Sequence, residues 1–183
     1  LTTASITSLS AQNNKTSYNN FMSEIANYNT LSGANKDGGV AEIVKYNKYN
    51  QTMYLVSGVN QSLHIIDLNN LDSNGYLDLS AKKIVTLATL GINDAGDITS
   101  VDVSPDGQEI AIAIQHQDYK ENGYIARLSA EGDLISIASA GIQPDMITYS
   151  PDGSLILTAN EGEPREGYDD GAIDPKGSIT ALT

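Results

Sequence analysis

Seven carboxylates have the residue type and the position to bind a metal ion. Glu42 and Asp145 each stand just before a short hydrophobic run, and Glu161 and Glu163 follow another such run. Carboxylates that crowd together repel one another unless a cation or protons offset their charge, and calcium takes oxygen ligands of this kind. The pattern therefore predicts a site for calcium or another divalent cation. The candidate ligands are Glu42, Asp145, Glu161, Glu163, Asp169, Asp170 and Asp174.

The last five of these candidates belong to one acidic segment, residues 161–174. The segment holds six carboxylates, three glycines and Arg165. A loop of this length inside a structural repeat is commonly functional or disordered. Asp169, Asp170 and Asp174 have a spacing that would allow them to wrap calcium, whereas Arg165 would instead pair with one of them. The plainer alternative is a loop of solvated acids on a very acidic protein.

Two other patterns carry weaker signals. Residues 70–78 imitate the first nine positions of an EF-hand loop, but Ala81 stands where the bidentate Glu belongs, so a strand-connecting turn is predicted. His64 falls within a predicted strand and is expected to be an ordinary strand side chain. His116 follows another predicted strand, where it would be either a ligand or proton carrier, or a solvated loop residue.

A repeat of short strands must position these side chains. Ser-Pro-Asp-Gly occurs at residues 104–107 and 150–153, 46 positions apart, each time between two apolar runs. A shift of 57 positions places residues 47–50 on the same turn. Pro presets φ and Gly supplies positive φ in such a hairpin turn. A period near 45 residues is typical of a propeller blade.

The repeat predicts an all-β fold, a β-propeller of four-stranded antiparallel blades. About three blades are expected, at residues 38–94, 95–141 and 142–183 of a propeller region that spans 23–183, after a polar N-terminal segment, 1–22. Three blades cannot close a ring, so it is incomplete, and residues 23–28 are a candidate outer strand for a neighbouring or terminal blade. The predicted strands are 43–46, 53–57, 63–68 and 84–90; 100–103, 110–114, 124–128 and 134–138; 146–149, 155–160 and 178–182.

The repeat register places two sets of equivalent residues at the mouth of the central channel. One set precedes the first strand of each blade and the other follows the second strand. The sets are Glu42, Thr99 and Asp145, and Gly58, Gln115 and Glu161. Four candidate ligands, Glu42, Asp145, Glu161 and Glu163, are therefore expected to converge there.

Composition narrows the classes of function. The formal net charge of −13 opposes binding to nucleic acid or to an anionic membrane. The sequence has no cysteine, which excludes disulfides, thiolate catalysis and cysteine-ligated metal centres. The familiar motifs of serine hydrolases, nucleotide-binding proteins and zinc proteases do not occur. Whether the protein is an enzyme stays open.

The sequence also bears on location. Its longest aliphatic run, Ile110–Ile114, is far shorter than the roughly 20 residues that span a bilayer, so no membrane-spanning segment is predicted. The chain begins at Leu1 without the features of a signal peptide, and any such segment is expected to have been removed. An acidic surface rich in Asn, Ser and Thr indicates an extracytoplasmic location, secreted or on a bacterial cell surface.

The repeat copies resemble YVTN-type propeller repeats. Residues 38–44, 143–153 and 159–164 further resemble the choice-of-anchor I family, and Asn-Glu-Gly-Glu-Pro is the most specific segment. The resemblance covers residues 23–183. The family contains secreted or surface-anchored propellers, also labelled mesenchyme-specific cell surface glycoprotein-like and alkaline phosphatase-like. Typical members are longer, so the resemblance implies that this chain matches their N-terminal portion.

These observations predict a secreted or cell-surface propeller that acts as a binding or interaction module. Its channel-side acidic loops would bind a divalent cation, a small ligand or a surface protein partner, and the remaining blades would come from another chain segment. One alternative is a metal-dependent phosphoesterase, in which Glu42, Asp145, Glu161 and Glu163 hold metals that activate water. Another is a structural protein of a surface array.

Overall fold

The structure is a computed structural model that describes residues 26–30, 40–73, 75, 77–169 and 171–183. In this part of the chain, β-strands and one turn of 3-10 helix, Leu87–Leu90, are the regular elements, and the predicted all-β class is confirmed. The strands are β1 (Val44–Asn47), β2 (Thr52–Ser57), β3 (Ser62–Asp67), β4 (Ala81–Thr86), β5 (Ala95–Val103), β6 (Glu109–His116), β7 (Asn122–Ser129), β8 (Leu134–Ile142), β9 (Pro144–Tyr149), β10 (Ile156–Asn160) and β11 (Ser178–Leu182).

The strands form three antiparallel sheets, which are the blades of a propeller. Blade 1 has the order β1-β2-β3-β4, blade 2 has the order β5-β6-β7-β8, and blade 3 consists of β9, β10 and β11. Each blade is a meander in which strands that are consecutive in sequence pair with each other. Propellers close with about four to eight blades, so three blades leave the ring open. The prediction of an incomplete β-propeller is confirmed.

The predicted strand over residues 84–90 is wrong in its second half. Strand β4 ends at Thr86, and the next four residues form the 3-10 helix. The backbone N–H of Thr89 donates to the Thr86 hydroxyl and the N–H of Thr86 donates to the Thr89 hydroxyl, at 3.4 and 3.2 Å. This reciprocal cap withdraws backbone groups from the sheet ladder and starts a helical turn. Gly91, with φ of 77°, ends the turn.

One type of turn closes the first hairpin of blades 2 and 3. The backbone N–H groups of Ser104 and Ser150 each bond to the carbonyl five residues later, at 2.9 Å, and Asn47 stands at the equivalent place in blade 1. Asp106 accepts a hydrogen bond from the Ser104 hydroxyl and Asp152 from the Ser150 hydroxyl, at 2.6 Å each. These bonds favour the ionised carboxylate. They hold the pKa of Asp106 below its usual range and lower the pKa of Asp152 to about 2.

Each blade has a forward face, toward the next blade in sequence, and a backward face. Val56 and Leu63 on the forward face of blade 1 are completely buried in the core shared with blade 2. Their equivalents in blade 2, Ala113 and Ile125, are buried in the core shared with blade 3. The equivalent of Ile125 in blade 3 is Ile179, which is 78% exposed. Blades 1 and 2 are therefore covered on their forward faces, and the described residues leave that of blade 3 open.

Polar side chains join the innermost strands of the three blades. The carboxylate of Asp102 on β5 lies 3.2 Å from Lys45 Nζ on β1. It also accepts hydrogen bonds from the hydroxyl of Thr148 and the backbone N–H of Tyr149 on β9, at 3.0 and 2.8 Å. Lys45, Asp102 and Thr148 are equivalent positions of successive blades. One half-buried carboxylate thus bonds to both neighbouring blades.

Replacing Asp102 with alanine should destabilise the protein more than the loss of an ordinary surface charge. The Tyr149 N–H would lose a charged acceptor in a poorly solvated place, which costs about 2–3 kcal/mol in free energy of unfolding. The matched control is Asp133→Asn, since the Asp133 side chain is 77% exposed and its ion pair with Lys83 should contribute less than about 1 kcal/mol. Urea unfolding measures both, and equal losses would contradict the bridging role.

The hairpin turns should make the protein less stable in acid. Because the pKa of Asp152 is lower in the folded state than its usual value, the stabilisation is complete above about pH 4 and is lost as the pH falls toward 2. The variant Asp152→Asn should therefore show a shallower loss of stability between these pH values than the unmodified chain. Chemical unfolding at several pH values tests this, with Glu131→Gln as a control. Parallel curves for Asp152→Asn and the unmodified chain would refute the prediction.

Candidate functional site

Four of the predicted ligands lie at the end of the molecule where β2, β6 and β10 finish, which we call the upper face: Glu42, Asp145, Glu161 and Glu163. Asp145 and Thr99 are both bulge residues, which the ladders of β9 and β5 skip. Glu42 lies beside Gly58, where its carboxylate oxygen is 3.1 Å from the place of a glycine Cβ. Glu161 follows the last residue of β10. The structure thus places residues of each blade at the upper face in the register that the repeat predicts.

Three of the predicted ligands influence one another directly. Burial raises the pKa of Glu161, and the charges of Asp145 and Glu163 raise it further, while Arg165 acts in the opposite direction. Asp145, Glu161 and Glu163 are therefore a cluster of mutually repelling carboxylates. All three side chains belong to exposed residues. The cluster joins the start of β9 to the loop after β10.

The remaining predicted ligands are more dispersed. Glu42 belongs to blade 1 and neighbours Gly58, whereas Asp169 and Asp174 are exposed residues farther along the loop. Asp170 lies outside the described residues. No group of three or more His, Asp or Glu side chains in the described part of the chain has the arrangement of a metal site. Metal binding by these seven residues remains a prediction.

Gln143 is the organising residue of the upper face, and it is absent from the predicted ligands. It is 2% exposed and is the single residue between β8 and β9. Its side-chain amide pairs with the backbone of Glu163, donating to the carbonyl at 2.7 Å and accepting from the N–H at 3.2 Å. The same amide donates to the Tyr119 carbonyl, and the Gln143 carbonyl accepts from the Glu161 N–H. Gln143 therefore clamps the start of the acidic loop onto blades 2 and 3.

Arg165 bonds to amides. Its Nε donates to Gln143 Oε1 at 3.3 Å and its Nη2 donates to Gln115 Oε1 at 3.4 Å. Gln143 holds the loop so that the guanidinium lies over the end of β6 and contacts these two glutamines. Pairing of Arg165 with an acid of its own loop stays a prediction, since Asp170 lies outside the described residues. The amides carry no charge, so these two hydrogen bonds do not themselves neutralise a carboxylate of the loop.

The acidic loop is closed tightly at its base. Gly162 has φ of 61°, and a Cβ there would lie 2.5 Å from the carbonyl carbon of Lys176. A Cβ on Gly177 would lie 2.9 Å from the Glu161 carbonyl oxygen. Only glycine permits so close an approach of two backbones. The two ends of the loop therefore meet at its base.

The two histidines are bonded within the fold. His116 Nε2 lies 3.3 Å from an Asp94 carboxylate oxygen and its Nδ1 is 3.0 Å from the Asp118 backbone nitrogen, so both ring nitrogens have partners. Hydrogen bonding by Tyr124 and by His116 lowers the pKa of Asp94. His64 is a buried side chain of β3, as predicted. The geometry favours structural roles for both rings.

The EF-hand-like segment is a connecting turn, as predicted. The Asp78 N–H donates to the Asn70 carbonyl at 3.0 Å, and Leu71 forms an isolated bridge with Leu77. These contacts close the connection between β3 and β4. Residues 74 and 76 of this segment lie outside the described residues.

Comparison with known proteins supports the fold and supplies a family. The family model of the choice-of-anchor I domain matches residues 42–183. This match favours an extracellular type of propeller module. Curated protein sequences give no match.

Solved structures share the fold at low sequence identity. The periplasmic gluconolactonase PpgL of Pseudomonas aeruginosa has a TM-score of 0.52 and 14% identity over 78% of this chain and 42% of that chain. A functionally unknown protein from Desulfotomaculum acetoxidans has a TM-score of 0.50 and 17% identity over 68% of this chain and 35% of that chain. Sqt1 from Chaetomium thermophilum has a TM-score of 0.50 and 15% identity over 68% and 31%. The chain thus matches less than half the length of these structures.

The structure also bears on membrane association. None of the helical residues in the described ranges forms a segment long and apolar enough to cross a bilayer.

Replacing Gln143 with alanine should release the acidic loop. The change leaves the Glu163 N–H and the carbonyls of Glu163 and Tyr119 without their amide partner, which should lower the free energy of unfolding by about 2–3 kcal/mol. Hydrogen exchange at the Glu163 amide should accelerate at the same time. The matched control is Gln115→Ala, which removes the other amide that contacts Arg165 and leaves the clamp intact. Unchanged exchange at Glu163 in the Gln143 variant would show that the clamp does not hold the loop.

Proposed function

This chain belongs to the choice-of-anchor I family, and from that membership we propose that it is an extracellular β-propeller binding module whose upper face takes a divalent cation, calcium in the first instance. The observation that carries the proposal is the grouping of Asp145, Glu161 and Glu163 at the upper face, on a loop base that the buried Gln143 amide holds. The Glu161 carboxyl is partly desolvated and lies among the charges of Asp145 and Glu163, and these three effects raise its pKa. A bound cation would relieve the burial cost and the repulsion together.

The neighbouring positive charge does not remove the need for a cation. Arg165 lowers the pKa of Glu161 to some extent, but burial and the two carboxylates prevail, so the pKa stays above its usual value. Arg165 directs its hydrogen bonds to the side-chain amides of Gln115 and Gln143. The net charge of the whole chain, −13, adds a negative potential in which a divalent cation is strongly favoured over an anion.

The loop would supply further oxygen ligands. Calcium accepts six to eight oxygens in flexible arrangements, from carboxylates, backbone carbonyls and water. Asp169 and Asp174 project from the same glycine-closed loop and are exposed, so they are available to approach the cluster. Glu42 stands on blade 1, where it would approach from the other side of the channel. The proposal is that calcium draws these groups together on a base already held by Gln143.

The proposed setting is a bacterial surface or secreted environment, in which the cation-bound face contacts a small ligand or a surface protein. Loops on a rigid propeller are suitable places for such contacts.

The open forward face of blade 3 is proposed to receive a further blade from another chain segment. A phosphoesterase would need several cations at this face before a phosphate was attracted, so calcium binding is the earlier step to test.

Replacing Glu161 with glutamine should remove the calcium response without lowering the stability of the calcium-free protein. Without calcium the variant should melt at the same or a higher temperature, because one of the repelling charges is gone. The rise in melting temperature on adding millimolar calcium should become much smaller, with calcium affinity reduced by at least about tenfold. Thermal melts with calcium and with chelator, together with calorimetric titration, measure both effects.

The control is Glu131→Gln, because Glu131 lies in the turn between β7 and β8 at the other end of the molecule and pairs with Lys82. This variant should keep the full calcium response. Because the pKa of Glu161 is raised, protons compete with calcium, and the response should begin to weaken at a higher pH than a glutamate of ordinary pKa would give. An unmodified chain that is indifferent to calcium and chelator at neutral pH would refute the proposal.

A further inference from the structure

The first hairpin turn of blade 1, residues 47–50, differs in sequence from the equivalent turns of the other two blades. Asn-Lys-Tyr-Asn stands there in place of Ser-Pro-Asp-Gly, so the turn-forming proline and glycine are both missing. Gly107 and Gly153 adopt positive φ values of 73° and 75°, whereas in blade 1 the positive φ, 53°, falls on Gln51. A residue with a Cβ is uncommon in that conformation. Blade 1 therefore keeps a less favourable turn, and this turn carries a lysine and a tyrosine.

The tyrosine of this turn, Tyr49, is held in place although it is 59% exposed. Its hydroxyl donates to the Pro105 carbonyl at 3.0 Å, across the joint between blades 1 and 2. Its backbone N–H donates to Asn47 Oδ1 at 3.0 Å, and the buried Asn47 amide donates in turn to the Gly107 carbonyl at 2.8 Å. The ring lies so close to Gly107 that a Cβ there would collide with it. Tyr49 is therefore a fixed aromatic surface at the end of the molecule opposite the upper face.

A groove of about 410 Å³ lies beside this ring, at the joint between blades 1 and 2. Residues 45–49 line one side of the groove and residues 102–105 line the other. Sites for small molecules commonly have volumes of about 300–1,000 Å³. Both blades that form the groove belong to this chain, so the groove does not depend on any further blade of the ring.

Two lysines give the groove a local positive charge. Lys45 Nζ lies 3.2 Å from the Asp102 carboxylate, so the charges of these two residues offset each other. Lys48 is exposed, and its Nζ lies 4.9 Å from the centroid of the Tyr49 ring. The ion pairs of the described residues do not include Lys48. A cation over an exposed aromatic ring is only weakly held. The Lys48 ammonium is therefore available to an anionic group in the groove.

We propose that this groove binds a saccharide that carries a carboxylate, with the sugar ring against Tyr49 and the carboxylate on Lys48. A sugar ring has an apolar face that can pack on an aromatic side chain, and its hydroxyl groups can donate to the Asp102 carboxylate at the side of the groove. A flat aromatic anion would match the tyrosine and the lysine but would bring no such donors.

The arrangement is suited to binding because Tyr49 is fixed in advance. Three hydrogen bonds, those of its hydroxyl and backbone and that of Asn47, hold the ring, so little side-chain freedom remains to be lost when a ligand packs on it. The groove lies at the opposite end of the molecule from the carboxylates of the upper face. The inference therefore does not depend on the proposed calcium site.

Calorimetric titration of the unmodified chain with trigalacturonate, in the presence of a chelator, tests the proposal. The chelator prevents calcium from bridging the saccharide to carboxylates of the protein, so the result is separate from that for the calcium site. Saturable binding is expected, at least about tenfold tighter than that of galactotriose or benzoate, because the first lacks the charge and the second lacks the hydroxyl groups. Failure of trigalacturonate to bind, or equal binding of either comparison compound, would overturn the proposal.

Three variants connect this binding to the groove. Lys48→Gln should weaken trigalacturonate binding by at least about tenfold and leave the melting temperature unchanged, because the side chain is exposed. Tyr49→Ala should weaken binding to a similar extent, whereas Tyr49→Phe keeps the ring and should retain most of the affinity. The matched control is Tyr168→Ala, which removes a tyrosine that is 85% exposed in the acidic loop. Unchanged affinity in Lys48→Gln, or an equal loss in Tyr168→Ala, would show that the saccharide does not bind in this groove.

Discussion

The arrangement of the blades depends on the carboxylate of Asp102 and on the similar polar contacts around it. A sheet that packs face to face on another sheet gains apolar burial, but that attraction has little directional preference. Asp102 fixes how neighbouring blades are oriented, because it pairs with Lys45 in the preceding blade and accepts hydrogen bonds from Thr148 and Tyr149 in the following blade. The Thr99 hydroxyl, which donates to the Pro144 carbonyl at 2.7 Å, repeats this device near the upper face. Inner strands joined in this way keep a defined angle to each other.

That defined angle is what makes the upper face a site. Bulges at Thr99 and Asp145 break the ladders at equivalent points, so the side chain of Asp145 is brought beside the end of β10. Gln143, two residues before this bulge, then holds the first residues of the acidic loop through its buried amide. The carboxylates are therefore held near one another by hydrogen bonds between uncharged groups. Neither acid nor salt would break these bonds. The proposed cation site would therefore be organised before a cation binds.

The outer parts of the blades are joined more loosely. Lys82 and Lys83 of β4 pair with Glu131 and Asp133 in the turn between β7 and β8. These side chains are largely exposed, and ion pairs of that kind contribute little to stability. The strength of the assembly thus lies near the axis and in the apolar layers between blades. Tyr28, whose hydroxyl lies 2.7 Å from His64 Nδ1, contacts such a layer on the backward face of blade 1.

The sequence by itself determined the fold class, the blade register and the upper-face position of Asp145 and Glu161, because a repeated Ser-Pro-Asp-Gly turn and a strand period of two are local properties. It misplaced the end of β4, where the competition between Thr86 and Thr89 side chains and the sheet ladder decided the outcome. It also missed Gln143, whose side-chain partners are 20 or more residues away and become neighbours only when blades 2 and 3 pack. Which carboxylates act on one another, and that Arg165 bonds to amides, were decided by the tertiary structure alone, since both depend on how the inner strands are angled.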